Sequence, residues 1–140
     1  NYYAHSFHLY NQEINVPILI YSSANFSDYG VQSDIAPTIL DYLNISIPVK
    51  YQGISLLNEN REYSFHQQNF IGNEWAVILK TDKGMYKYYY FGQGNKFNPV
   101  REEIYEIISD KEEKNNLIGN ISGDLYNELR KKLGEGFGIS

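Results

Sequence analysis

The chain has 140 residues, 42% hydrophobic and 21% charged, which is the composition of a globular protein with its own core and not of a disordered segment. A net charge of −5, with "RKK" at 130–132 as the one basic cluster, argues against nucleic acid as a partner, because phosphate binding needs a basic stripe. The absence of cysteine excludes disulfides and thiolate chemistry, and no apolar run approaches the ~20 residues of a membrane-spanning helix.

Two histidines, His5 and His8, stand three residues apart just ahead of the apolar run "VPILIY" at 16–21. That run predicts a buried strand over 16–21, of the kind found inside a parallel sheet. "SSANFSDYG" reads as loop. A helix is expected over 34–43, with Ser33 as its N-cap and Ile35, Ile39, Leu40 and Leu43 on one face. Pro37 falls in its first turn, where the missing N–H has no partner to lose. Asp34, also in the first turn, suits the helix dipole, and Asp41 is expected on a solvated face. "EYSFHQQN" predicts a strand. "EWAVILK" alternates with Trp75, Val77 and Leu79 on one side; "TDKG" makes a turn and "MYKYYYF" returns, a β-hairpin. "EEIYEII" is a third antiparallel strand, and "SDKEEKNN" is a charged turn that ends it. From Ser122 an amphipathic helix over 123–133 carries Leu125, Leu129 and Leu133 on one stripe, with Gly134, Gly136 and Gly138 to stop it.

The expected organisation is therefore an α/β segment over 1–57 and a small antiparallel sheet covered by a C-terminal helix over 58–140, which gives the whole an α+β character.

Four stretches, in order, resemble one family. "HSFHLYNQEINVPILIY" resembles the sulfatase segment His-Gly-x-x-Leu-Tyr-Glu-Glu-x-Ile-Arg-Val-Pro-Leu-Ile-Ile. "SDIAPTILDYLNISIP" is similar to its Val-Asp-Ile-x-Pro-Thr-Leu-Leu-Asp stretch, "YQGISLL" to its Gln-Gly-x-Ser-Leu, and "EEIYEIISDKEEKNNL" to its Glu-Leu-Tyr-Asp-Leu-x-x-Asp-Pro-x-Glu-x-x-Asn-Leu. The resemblance implies the C-terminal part of an alkaline-phosphatase-like sulfatase fold. The nucleophile and the Asp, Asn and His metal ligands would then lie upstream of Asn1, in a larger polypeptide. Ser6 stands for the family's Gly, Gln12 for Glu, Asn15 for Arg and Lys111 for Pro, so a family ion pair at positions 12 and 15 becomes a neutral polar pair.

The resemblance further implies that the parent protein cleaves sulfate esters by a metal-assisted covalent mechanism. This chain would form one wall of the active site and be inactive alone. The divalent ion (Ca, Mg, Mn or Zn) would be bound by the upstream part, with none expected in these residues. His5 is the expected catalytic and substrate-binding residue. In relatives the side chain at that place reaches the ester's oxygens or the leaving oxygen, where an imidazole can donate a proton. His8 and His66 are the further candidates for substrate contact, against packing roles for both. A zinc site at His5 and His8 lacks a third ligand nearby. The expected partners are a small-molecule or glycan sulfate or phosphate ester and the remainder of the parent polypeptide, with dimerisation through the exposed docking surface as a further expectation. The parent's location is left open, an extracytoplasmic or membrane-anchored one being what the family suggests. Two alternatives stand beside this reading. One is a phosphoglycerol transferase or phosphodiesterase of the same superfamily. The other is a non-catalytic module whose Tyr86, Tyr88, Tyr89 and Tyr90 stack on a glycan.

Overall fold

In the computed structural model, which describes residues 8–57, 59–69, 72–92 and 96–139, four strands pair in sequence order as one antiparallel sheet. They are Tyr63–Gln68 (β1), Asn73–Thr81 (β2), Gly84–Gly92 (β3) and Pro99–Glu106 (β4). The hairpin between β2 and β3 closes on the two residues Asp82 and Lys83, with Thr81 opposite Gly84. Gly84 takes φ +146°, a conformation that side chains resist, and the Thr81 hydroxyl donates to its carbonyl at 3.0 Å.

Period-two alternation gives the sheet two different faces. Trp75, Val77, Leu79, Tyr88, Tyr90 and Ile104 point to one of them. The helix Gly123–Phe137 (α3) covers that face and inserts Leu129 and Leu133, both fully buried. Leu125 packs on the same cluster while remaining partly exposed. Two buried leucines contribute roughly 3–6 kcal/mol before entropy is subtracted. Ser122 caps α3 as expected, its side chain accepting the Leu125 N–H. The helix does not stop at Leu133. It runs through Gly134 and Gly136 to Phe137 and ends at Gly138, which adopts the left-handed conformation. Gly136 lets α3 approach β1, since a Cβ there would lie 2.5 Å from the Phe65 ring. The fold is therefore α+β, an antiparallel sheet with a C-terminal helix packed on it.

The described residues fall into two compact units: one takes in the chain up to Pro17 and again from Tyr63, the other is Ile18–Glu62. The strand expected over 16–21 is not formed. Val16–Tyr21 is irregular, and its side chains lie open to solvent, Leu19 at 96% and Tyr21 at 104%. A continuous apolar run becomes a strand only between neighbouring strands, and none of the four described strands pairs with it.

The expected helix is present as a 3-10 turn, Gln32–Asp34, leading into Ile35–Tyr42 (α2). Its start is not capped by Ser33. The Asp34 carboxylate instead takes the N–H of Val31 at 2.9 Å and of Ile54 at 2.9 Å, and the Arg61 guanidinium grips both its oxygens. Burial pushes this carboxyl up, but Arg61 and the two N–H donors outweigh burial and hold it below its ordinary value. Asp34 is thus a buried ion-pair centre and not simply a partner of the helix dipole. Asp41, expected on a solvated face, accepts from the Ser55 hydroxyl at 2.5 Å. The apolar stripe also faces the other way from expectation. Ile35, Ile39 and Leu43 are exposed, while Pro37 and Thr38 are the buried residues of α2. Asn44, at φ +56°, ends the helix, and Ile45 N–H returns to the Leu40 carbonyl at 2.8 Å.

Candidate functional site

The second face of the sheet carries Glu74, Ala76, Lys87, Tyr89, Phe91 and Glu103, and residues 8–14 lie across it as a strap. Leu9 is the apolar anchor, buried against Ala76 and Tyr89. The strap ends in a single helical turn, Asn11–Ile14 (α1), and Ile14 packs on the same cluster.

Polar pins surround that anchor. His8 Nδ1 lies 3.0 Å from Glu74 Oε1, and the Glu74 side chain is 3% exposed. That contact fixes the orientation of the imidazole ring. The His8 N–H donates to Glu13 at 3.2 Å, so Glu13 braces the strap from within. The Tyr10 ring stacks on Tyr89 with centroids 5.8 Å apart and planes at 9°, and its hydroxyl donates to Glu103 at 3.2 Å. Arg101 lies over the Tyr89 ring at 4.9 Å and donates to the Tyr89 hydroxyl at 2.8 Å. Burial first and the Glu74 carboxylate second push the Tyr89 phenol up, so it stays protonated at neutral pH.

The deepest pin is ionic. Lys87 and Glu113 form an ion pair with side chains 0% and 1% exposed. Lys87 Nζ also donates to the Leu9 carbonyl at 2.7 Å, and Glu113 Oε2 accepts the Asn11 N–H at 2.6 Å. The Asn11 side chain donates to the Lys111 carbonyl at 3.1 Å. Burial pulls the Lys87 ammonium below its ordinary value, and the Glu113 charge opposes that shift. Glu113 sits at φ +53°, a left-handed conformation that costs a residue with a Cβ roughly 1 kcal/mol. The charged turn expected at "DKEEKNN" thus sends one of its glutamates into the interior.

Of the sequence-based candidates, His5 lies outside the described residues. His8 and His66 stand on the same face of the sheet, each with its own partner. His66, on β1, has Nε2 2.8 Å from the Ser64 hydroxyl. Burial first, then the charge of Lys87, pulls its imidazole down to about 4, so it is neutral at pH 7. The tyrosine platform is not available for stacking, since Tyr88, Tyr89 and Tyr90 are all 0% exposed. Among the described residues no three His, Asp or Glu side chains form a group that would hold a metal ion. Glu74, Lys87 and Glu113 are the buried charged residues holding the strap that sequence reasoning missed. The signal was there for Lys87, one cation inside the tyrosine-rich "YKYYYF", where a buried strand position demands a counter-charge.

No family model matches the chain. It is similar to an arylsulfatase. That protein, from Clostridium perfringens (strain 13 / Type A), is 29% identical over 126 residues, which cover 79% of this chain and 25% of the arylsulfatase. The chain thus spans about a quarter of the length of the curated relative it matches. The likeness supports a relationship to sulfatase-type hydrolases and leaves the chemistry of the strap to be argued from its residues.

Proposed function

We propose that these residues are the C-terminal part of a sulfatase-like hydrolase and that the strap forms one wall of its active site. Residues 18–62, a compact unit of their own, would belong to the catalytic domain, and the sheet with its strap would form a small subdomain. The observation that carries this reading is the strap itself. The segment that resembles the sulfatase motif is the one pinned to the sheet by Glu74, Lys87 and Glu113, and the arylsulfatase likeness spans most of the chain. His5, three residues ahead of the pinned His8, would stand where charge develops on the departing ester oxygen and deliver a proton to it. The exposed run Ile18–Tyr21 would add to a sheet supplied by the rest of the polypeptide.

The test is His5→Ala in the full polypeptide that carries these residues, assayed with 4-nitrophenyl sulfate. Turnover is expected to fall roughly 10²–10⁴-fold with the circular dichroism spectrum unchanged. Wild-type turnover in the variant would end the role assigned to His5. Preferential cleavage of bis(4-nitrophenyl) phosphate by the unaltered protein would move the reading to the phosphodiesterase branch.

A further inference from the structure

We propose that Lys87 and Glu113 are positioning residues, a buried clamp that fixes the backbone of the strap and thereby the place of its histidine-bearing segment. This rests on the hydrolase reading only for its consequence in catalysis; the clamp itself stands on geometry.

Three observations converge on it. Each ion of the pair makes a second bond, and both second bonds go to strap backbone: Lys87 to the Leu9 carbonyl at 2.7 Å and Glu113 to the Asn11 N–H at 2.6 Å. Those two groups lie one and three residues beyond His8, whose ring is itself held by Glu74 at 3.0 Å. The pair is completely withdrawn from water, at 0% and 1% side-chain exposure. A buried ion pair is a poor way to gain stability, because desolvating two charges offsets their attraction and an apolar pair of similar volume does as well or better. Its advantage is directional: charged donors and acceptors fix what they touch in one geometry. Finally, Glu113 holds φ +53°, a strained conformation for a residue with a side chain, and strain of this kind persists where the surrounding contacts require it. The backbone bends unfavourably at the glutamate that reaches the Asn11 N–H.

A merely structural pair and a clamp respond differently when both charges are removed together. Lys87→Met with Glu113→Met leaves no unpaired buried charge and no acceptor for the Asn11 N–H, so the sheet should survive while the strap loses both bonds. In the full polypeptide, the double variant is expected to keep the thermal midpoint within a few degrees and to keep hydrogen-exchange protection in β2 and β3. The amides of residues 9–13 should exchange at least tenfold faster. With 4-nitrophenyl sulfate, kcat should fall at least tenfold while KM changes less than threefold. Should the double variant fail to fold, Asn11→Pro gives a second route. It removes the N–H that Glu113 accepts while leaving the ion pair, at a first helical position where proline is tolerated, after Tyr10 in the extended conformation (ψ 156°) that a following proline requires. Asn11→Ala is its control, losing only the side-chain bond. Strap amides as protected as in the wild type, in a folded double variant or in Asn11→Pro, overturn the clamp. A loosened strap with unchanged kcat overturns the positioning role. An inactive wild type sinks the hydrolase reading instead, and the exchange rates then decide the clamp alone.

Discussion

Burying His66 beside Ser64 and in the field of Lys87 makes its neutral form the folded one. The unfolded chain takes up this proton near 6.5 and the folded chain only near about 4. As pH falls through that window the unfolded state binds more protons, so stability declines, and below the folded value the loss is complete. The contribution is of the order of 3 kcal/mol. Denaturant midpoints at pH 7 and pH 4 should therefore differ less in His66→Gln than in the wild type, and equal differences would remove this account of His66. At the same scale, Asp34→Ala leaves Arg61 without its buried counter-ion and should destabilise the 18–62 unit by about 3 kcal/mol, seen as faster amide exchange at Val31 and Ile54. Single residues were unevenly legible in the sequence. His8 falls on a variable position of a motif and stood out only as a second histidine beside His5, whereas Tyr10 could be singled out by its place in that motif. Glu74 and Glu113 could not, because alternation says that a position faces inward but not that a carboxylate there will meet a histidine or a lysine tens of residues away.

Helix α3 depends on two buried leucines and on glycines that let it lie close. Leu133→Ala should lower stability by about 2–5 kcal/mol, and Leu125→Ala by less, because Leu125 is only partly buried; equal losses from the two would contradict the packing described. The hairpin and α3 were readable because their patterns are local: period two in "EWAVILK", a four-residue leucine spacing after Ser122, a two-residue turn at Asp82 and Lys83. The full extent of α3 was not, because glycine lowers helix propensity without forbidding a helix, and packing against Phe65 and Trp75 carries the last turn. Val16–Tyr21 and the outward stripe of α2 failed for the opposite reason. Their apolar patterns report burial, and burial depends on neighbours that the described residues do not provide.

For the molecule as a whole, Ile18, Leu19, Tyr21, Ile39, Leu43 and Val49 are large apolar side chains left open to solvent in the 18–62 unit. The chain on its own should self-associate, and Leu19→Asp combined with Leu43→Asp should shift sedimentation toward monomer; identical profiles would place the association elsewhere. The strap has another consequence, for the order of events during synthesis. Asn11 bonds to a residue 102 positions further along, and His8 to one 66 positions further along. On a ribosome adding ~5–20 residues per second, the strap waits on the order of ten seconds for Glu113. The strap therefore cannot reach its seat until β4 and the turn after it have been made, and Leu9 stays uncovered in that interval.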